Sequence, residues 1–311
     1  MGEPLIELEG VSKHYGAVTA LDGLTMQVPE GTVCGLLGPN GSGKTTAIRV
    51  LLGLSRASEG ETTLLGQTPA DPGFADALRQ TGSLIEGPAL YGWASARQNM
   101  EIEAAARGVS DPSGQILELL TLVGLADWAD YNARTFSLGM KQRLGLAITL
   151  IGDPRLVILD EPTNGLDPAG IVEIRDLIKR LPERGCSVLV SSHLLAEVQL
   201  MCDRATIINK GKLVADGTME EILGGDEVAE GFIVYVALDS VEAARKALEA
   251  AGLSVDDRGE GCLSVRGSVS DDSEITRLLG EAGIWLRGLG RERPDLERVF
   301  LELTEGAASA V

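Results

Sequence analysis

The chain is predicted to be an α/β protein with a largely parallel core sheet, followed by a smaller α+β domain of ferredoxin-like order. Three observations carry this. Residues 36–46, LLGPNGSGKTT, join an apolar, β-branched run to a stretch with helical spacing, and Gly38, Gly43, Lys44 and Thr45 fit the pattern G-x-x-x-x-G-K-[ST]. The runs RLVILD (155–160) and CSVLVSS (186–192) are apolar almost throughout, as strands buried on both faces are, and the amphipathic stretch PAGIVEIRDLIKRLPERG lies between them. Beyond Gly224-Gly225, which reads as a linker, strand, helix, hairpin, helix and strand signals follow in the β-α-β-β-α-β order of a split unit. Residues 1–224 and 225–311 are the expected domains.

Taken in order, LIELE (5–9) alternates apolar and acidic side chains, as an edge strand does, and VTALDGLTMQVPEG reads as further short strands turning at Asp22-Gly23 and at Pro29-Glu30-Gly31. The strand and helix around residues 36–46 come next, then a strand in GETTLLGQ and a short helix in ADPGFADALRQ. Residues 87–152 are mainly helical: ASARQNMEIEAAARG, PSGQILELLTLVGL and SLGMKQRLGLAITLIG are separated by Gly, Pro or Asp. This predicts an all-α subdomain inserted in the α/β core. ATIINKGKLVADG reads as a hairpin closed at Lys210-Gly211. In the second domain a last helix, PDLERVFLELT, precedes a frayed tail, GAASAV.

Composition narrows the function. With 311 residues and 44% hydrophobic content the chain builds a full core. A formal net charge of −19 offers no broad cationic surface, so a general nucleic-acid binder is not expected. Cys34, Cys186, Cys202 and Cys262 lie far apart without a C-x-x-C pair, which favours reduced thiols over a disulfide framework or zinc site. The start, MGEPLIELEG, lacks the basic end and apolar run of a signal peptide, and the longest apolar stretch, LGLAITLIG, is about half the ~18 residues of a membrane span. Any membrane-crossing partner is therefore expected to be a separate protein.

The chemistry gathers at residues 36–46. Glycines let the backbone close into a nest of N–H groups that cradles phosphate oxygens, and the helix starting near Lys44 turns its positive end toward the same spot. Gly38, Pro39, Asn40, Gly41, Ser42, Gly43, Lys44, Thr45 and Thr46 are the candidate phosphate-binding residues. Lys44 brings a cation to the β/γ-phosphates and the Thr45 hydroxyl is placed to ligate Mg²⁺. A second metal-holding strand is expected, and Leu156–Asp160 supplies it. Asp160 is placed to hold Mg²⁺ through water, and Glu161 to orient or deprotonate an attacking water. Alone, such a strand ending in acidic turn residues is common; with the glycine loop it points to nucleotide hydrolysis.

A family becomes visible in Phe136-Ser137-Leu138-Gly139-Met140-Lys141-Gln142-Arg143, which resembles the signature sequence of ABC ATPases, written LSGGQ. The resemblance covers residues 5–223. It implies a P-loop NTPase of the ABC ATPase type, a RecA-like core with antiparallel β and α-helical subdomains, that binds ATP and Mg²⁺. Two such domains then meet head to tail, with ATP between one P-loop and the opposing signature segment. Ser137 and Gly139, at the start of a helix, would hold the γ-phosphate of ATP bound to the second ATPase subunit, either a copy of this chain or a paralogue. Asn164-Gly165-Leu166-Asp167 matches the D-loop, which contacts that subunit. Ser191-Ser192-His193 matches the switch motif, whose His193 reaches the γ-phosphate. Tyr15 resembles the aromatic that stacks on adenine, although an exposed aromatic can equally cover a core edge. His14 has no assigned role.

One departure matters. Glu86, in TGSLIEGPALYGWASARQNM, stands where the family has its Q-loop glutamine. A carboxylate can still serve as a metal ligand but cannot donate as an amide does. SLIEGPALY resembles the ATPases of bacterial exporters for lantibiotics and bacitracin, and SLGMKQRLGLA resembles those of the daunorubicin and tetronasin exporters. The resemblance thus implies the ATP-hydrolysing subunit of a bacterial exporter of a drug, antibiotic or antimicrobial peptide, at the cytoplasmic face of the membrane, with a separate permease as partner. A groove at residues 86–93 would receive a helix of that permease on Tyr91 and Trp93, unless both are buried in the helical subdomain. The second domain is expected to stabilise a dimer or to sense a ligand. An importer ATPase and a soluble ABC ATPase of translation or repair are the alternatives. The first commonly carries a β-rich C-terminal domain, and the second carries tandem nucleotide domains, coiled coils or zinc modules.

Overall fold

The computed structural model describes residues 4–223, 231–267, 272–291 and 296–306. The chain divides into two units, one running from the N-terminus to Ile222 together with the segment from Phe300, the other Leu223–Val299.

The first unit is built on two sheets. A three-stranded antiparallel sheet contains β1 (Ile6–Tyr15), β2 (Val18–Val28) and β4 (Glu59–Leu64) in the order β2-β1-β4. The alternation in LIELE is real, with Ile6 and Leu8 buried, but β1 is the central strand and not an edge. Alternation reports that one face is buried; it says nothing about how many neighbours a strand has. Residues 18–28 likewise form one strand and not several. Gly23, at φ 66°, lies in one of the pair's three register shifts, where a turn was expected.

The second sheet has six strands in the order β5-β6-β7-β3-β8-β9. Its members are β3 (Val33–Leu37), β5 (Thr81–Leu84), β6 (Leu156–Asp160), β7 (Ser187–Ser192), β8 (Arg204–Asn209) and β9 (Lys212–Thr218). All neighbours are parallel except β8 and β9, the hairpin closed at Lys210 and Gly211. Every residue of β3, β6 and β7 is buried, which is why their sequences are apolar without alternation. Because β7 lies between β3 and β6, the C-terminal ends of these three strands open onto one place. Here α1 (Lys44–Leu51) leaves β3, and its buried Ala47, Ile48, Val50 and Leu51 enter the core that joins both sheets.

The helical insert holds α3 (Ala96–Arg107), α4 (Ser113–Leu122) and α5 (Leu138–Thr149), and α2 (Phe74–Arg79) precedes it. Ser95 and Gln98 close a capping box on α3, and Ser137 caps α5. Between β6 and β7, α6 (Pro168–Lys179) ends before the predicted stretch does, and Pro182–Arg184 forms a separate 3₁₀ turn, because Pro182 cannot continue the α-helix. α7 (Leu195–Met201) and α8 (Met219–Ile222) complete this unit's helices up to the point where the chain passes on.

In the second unit β10 (Phe232–Tyr235), α9 (Val241–Ala250), β11 (Ser254–Asp257), β12 (Cys262–Arg266), α10 (Asp272–Glu281) and β13 (Gly288–Arg291) form an antiparallel sheet of order β11-β12-β10-β13. Numbered within the unit this is 4-1-3-2, the ferredoxin-like arrangement. Phe232, Leu248, Leu263, Ile275 and Leu279 fill its core. The last helix is α11 (Leu296–Gly306). The linker at Gly224-Gly225 and all of the tail after Gly306 lie outside the described residues.

Candidate functional site

The glycine loop is shaped by what surrounds it. At Gly38 (φ 156°) an added Cβ would lie 2.2 Å from the Ile208 carbonyl oxygen, and at Gly43 (φ 113°) 2.6 Å from that of Ala20. No side chain fits at either position, so the loop can press against β8 and β2 and still turn its N–H groups outward. Gly43 precedes α1 without any side-chain cap, which leaves the helix's first N–H groups open to an anion. The Ser42 hydroxyl is buried and has no hydrogen-bond partner. An uncapped helix start, a buried unpaired hydroxyl and a cationic Lys44 on one concave loop fit a polyphosphate.

Around this nest the strand ends supply oxygen atoms. Asp160, 3% exposed at the end of β6, accepts a hydrogen bond from the Thr45 hydroxyl at 2.8 Å on Oδ2, and Ser191 of β7 donates to Oδ1. The paired register of Asp160 and Ser191 sets the two side chains beside one another. A threonine hydroxyl beside an aspartate is the hard oxygen donor set that Mg²⁺ takes, so the residues fit that ion.

Glu161 follows with φ 51°, a conformation that non-glycine residues adopt at a cost. Its N–H is held by Ser191, 3.0 Å from Oγ and 3.2 Å from the carbonyl. The turn swings the side chain into the cleft, where Oε1 lies 3.2 Å from Lys44 Nζ and Oε2 2.7 Å from His193 Nδ1. Lys44, 6% exposed, also donates to the Gly38 carbonyl at 2.7 Å. A carboxylate held between a histidine and a lysine at the mouth of a phosphate nest can take a proton from a water attacking phosphorus.

Two adjoining clefts meet here. One of about 600 Å³ is lined by Thr45, Glu86, Gln142, Asp160, Glu161 and Asn164; the other, of about 380 Å³, by Val18, Asn40, Lys44, Thr45, Glu161 and His193. Tyr15 is half-exposed at the end of β1, its hydroxyl 3.3 Å from Ser55 Oγ and Lys13 Nζ 4.8 Å from its ring centre. Glu86, at φ 58°, lines the larger cleft, and its carboxylate is paired with Arg49 of α1 at 2.5 Å. Ser137, Gly139 and Asp167 line neither cleft. Ser137 accepts from Met140 N at 3.2 Å and Asp167 caps α6 through Gly170 N at 3.0 Å. Tyr91 and Trp93 are 50% and 70% exposed and pack on one another with ring centres 5.8 Å apart, which removes the buried alternative. Sequence reasoning gave no site role to Val18 or Gln142. Gln142 is buried on α5 along with Leu144, Leu146 and Thr149, and nothing in its own stretch of sequence singles it out.

This fold and this site define a P-loop nucleoside triphosphatase. Residues 21–164 match the family model described as ABC transporter. The chain is 37% identical over 310 residues to a daunorubicin resistance ATP-binding protein of Streptomyces coeruleorubidus, covering 98% of this chain and 97% of the relative. It is 34% identical to a bacitracin transport ATP-binding protein of Bacillus licheniformis, covering 97% and 98%. A solved ATP-binding subunit of an ABC transporter superposes with a TM-score of 0.64 at 30% identity, covering 70% of this chain and 91% of that one. The chain belongs to the ATP-binding subunits of ABC transporters, and ATP is what it binds and hydrolyses.

Proposed function

We propose that this chain powers the efflux of a drug, antibiotic or antimicrobial peptide through a separate membrane permease, as one of two ATPase subunits that close on ATP. The observation that carries the export reading is that the daunorubicin and bacitracin relatives align along their whole length, accessory unit included. Among the described residues no helix is long and apolar enough to cross a membrane, and in this reading the substrate path is the permease's. The exposed pair Tyr91 and Trp93 is the apolar anchor for that permease at the cytoplasmic face.

In this reading Thr45 and Asp160 would hold Mg²⁺, which would supply positive charge against the phosphates. The Gly38–Gly43 nest and Lys44 orient the phosphates, and the Tyr15 ring offers adenine a stacking face. Glu161 receives the proton of the attacking water, and His193 fixes which way that carboxylate points. The signature residues Ser137 and Gly139 stay outside the chain's own clefts and serve the nucleotide of the opposing subunit.

Glu161→Gln tests the pairing: it retains ATP, hydrolyses it at least about a hundredfold more slowly, and elutes as a dimer from size exclusion with ATP and Mg²⁺. A monomer at saturating ATP overturns the paired mechanism. Co-purification with the permease, followed by drug-stimulated ATPase assays, tests export; no stimulation by any drug or peptide substrate counts against it.

A further inference from the structure

One group in the larger cleft has no part in the chemistry above. Gln142 of α5 is 5% exposed, lines the cleft with Thr45, Glu86, Asp160 and Glu161, and its side-chain oxygen has no hydrogen-bond partner. Buried acceptors are nearly always paired, so an orphan in the wall of a polar cleft points to a ligand that donates. The carboxylates facing it are all engaged: Asp160 by Thr45 and Ser191, Glu161 by Lys44 and His193, Glu86 by Arg49.

The nature of the ligand follows from the chemistry of an amide oxygen, which accepts hydrogen bonds and cannot donate them. Ionised phosphate oxygens are acceptors too, so the triphosphate cannot satisfy it. A water bound to a divalent cation can: its O–H groups are polarised, and Mg²⁺ keeps several of its waters when one or two protein oxygens and the phosphates bind it.

We propose that Gln142 is a positioning residue for the hydrated cation at Thr45 and Asp160, its side-chain oxygen accepting a hydrogen bond from a cation-bound water. This rests on the reading that Thr45 and Asp160 hold that cation. Placed on the helix that Ser137 begins, Gln142 also makes the cation's hydration shell sensitive to where α5 stands.

The test is Mn²⁺ titration of the purified full chain with ADP, followed by electron paramagnetic resonance, which needs no turnover. Gln142→Leu keeps the volume and removes the acceptor, so Mn²⁺ binds about tenfold more weakly. The thermal midpoint of this variant without nucleotide is not lowered, since nothing was bonded to the oxygen. Gln142→Glu retains an acceptor and binds Mn²⁺ no more weakly than the wild type. Wild-type Mn²⁺ affinity in Gln142→Leu overturns the proposal. So does a lowered midpoint accompanying the loss, because that is the mark of a structural role. Asp160→Asn separates the two failures: if it too binds Mn²⁺ normally, the cation is not at Thr45 and Asp160 and the underlying reading falls; if it alone weakens binding, only the role of Gln142 falls.

Discussion

In the proposed mechanism helices α1 and α5 both serve phosphate groups, yet they begin in opposite ways. α1 starts after Gly43, in a left-handed conformation and without any side-chain cap; α5 starts after Ser137, extended, with its hydroxyl on Met140 N. On the proposed reading the first is bare because its anion comes to the same loop. The second is stable by itself, because Ser137 satisfies one donor while the N–H groups of Leu138 and Gly139 stay free of a cap. Above Gly139 an added Cβ would meet only a Leu166 methyl, at 3.9 Å, so a phosphate has room to approach. In the proposed pairing the bare helix start serves the chain's own nucleotide, and the half-capped one serves the nucleotide of the other subunit.

Three experiments bear on this contrast. The largest effect belongs to α1: Lys44→Ala removes the cation that touches both the loop and Glu161, and phosphate release falls to background. Turnover at the wild-type rate would break the assignment of the bare end. A smaller effect belongs to α5. Ser137→Ala costs the first unit about 1 kcal/mol of stability from the lost cap, leaves ATP affinity of the dilute chain unchanged within about twofold, and lowers turnover at concentrations where subunits pair. Loss of ATP affinity in the dilute chain would mean that α5 serves its own cleft after all.

The smallest effect tests how tightly the strands beneath these helices are closed. Burial pushes the thiol of Cys34, on β3, up to about 11 and that of Cys186, beside β7, up to about 12, from an ordinary 9. Both stay protonated in the fold, so their contribution to stability is full below pH 9. It is lost between pH 9 and 11–12, as the unfolded thiols ionise and the folded ones follow. Denaturation midpoints across that range measure it, and at pH 8 a thiol reagent labels the half-buried Cys262 before the other three.

Much of the site is legible in the sequence because it is local. The glycine loop, the carboxylates at the end of β6 and the Ser137 cap each depend on neighbours a few residues away, and β-strands buried on both faces announce themselves by composition. Long-range pairings are not legible. Nothing near Glu86 shows that Arg49 will neutralise it, nothing near Asp160 shows that Ser191 will bond it, and the inward face of Gln142 follows only from how α5 packs. The position of β1 in its sheet is hidden for the same reason: its side chains record a buried face, whereas its neighbours are chosen by residues 18–28 and 59–64.

The hairpin closed at Gly211 has a bearing on how the protein is made. Gly211 donates to the Ser42 carbonyl at 2.8 Å and accepts from Asp22 N at 2.9 Å, and an added Cβ on it would strike the Ala20 carbonyl. The floor of the phosphate nest is therefore contributed by a turn synthesised long after the nest itself. On the ribosome, a nascent chain carrying the whole glycine loop and even Glu161 still lacks the turn that pins Ser42, and chains emerge N-terminus first. A chain that stops before the β8–β9 turn therefore carries the glycine loop without the residue that holds its Ser42 carbonyl.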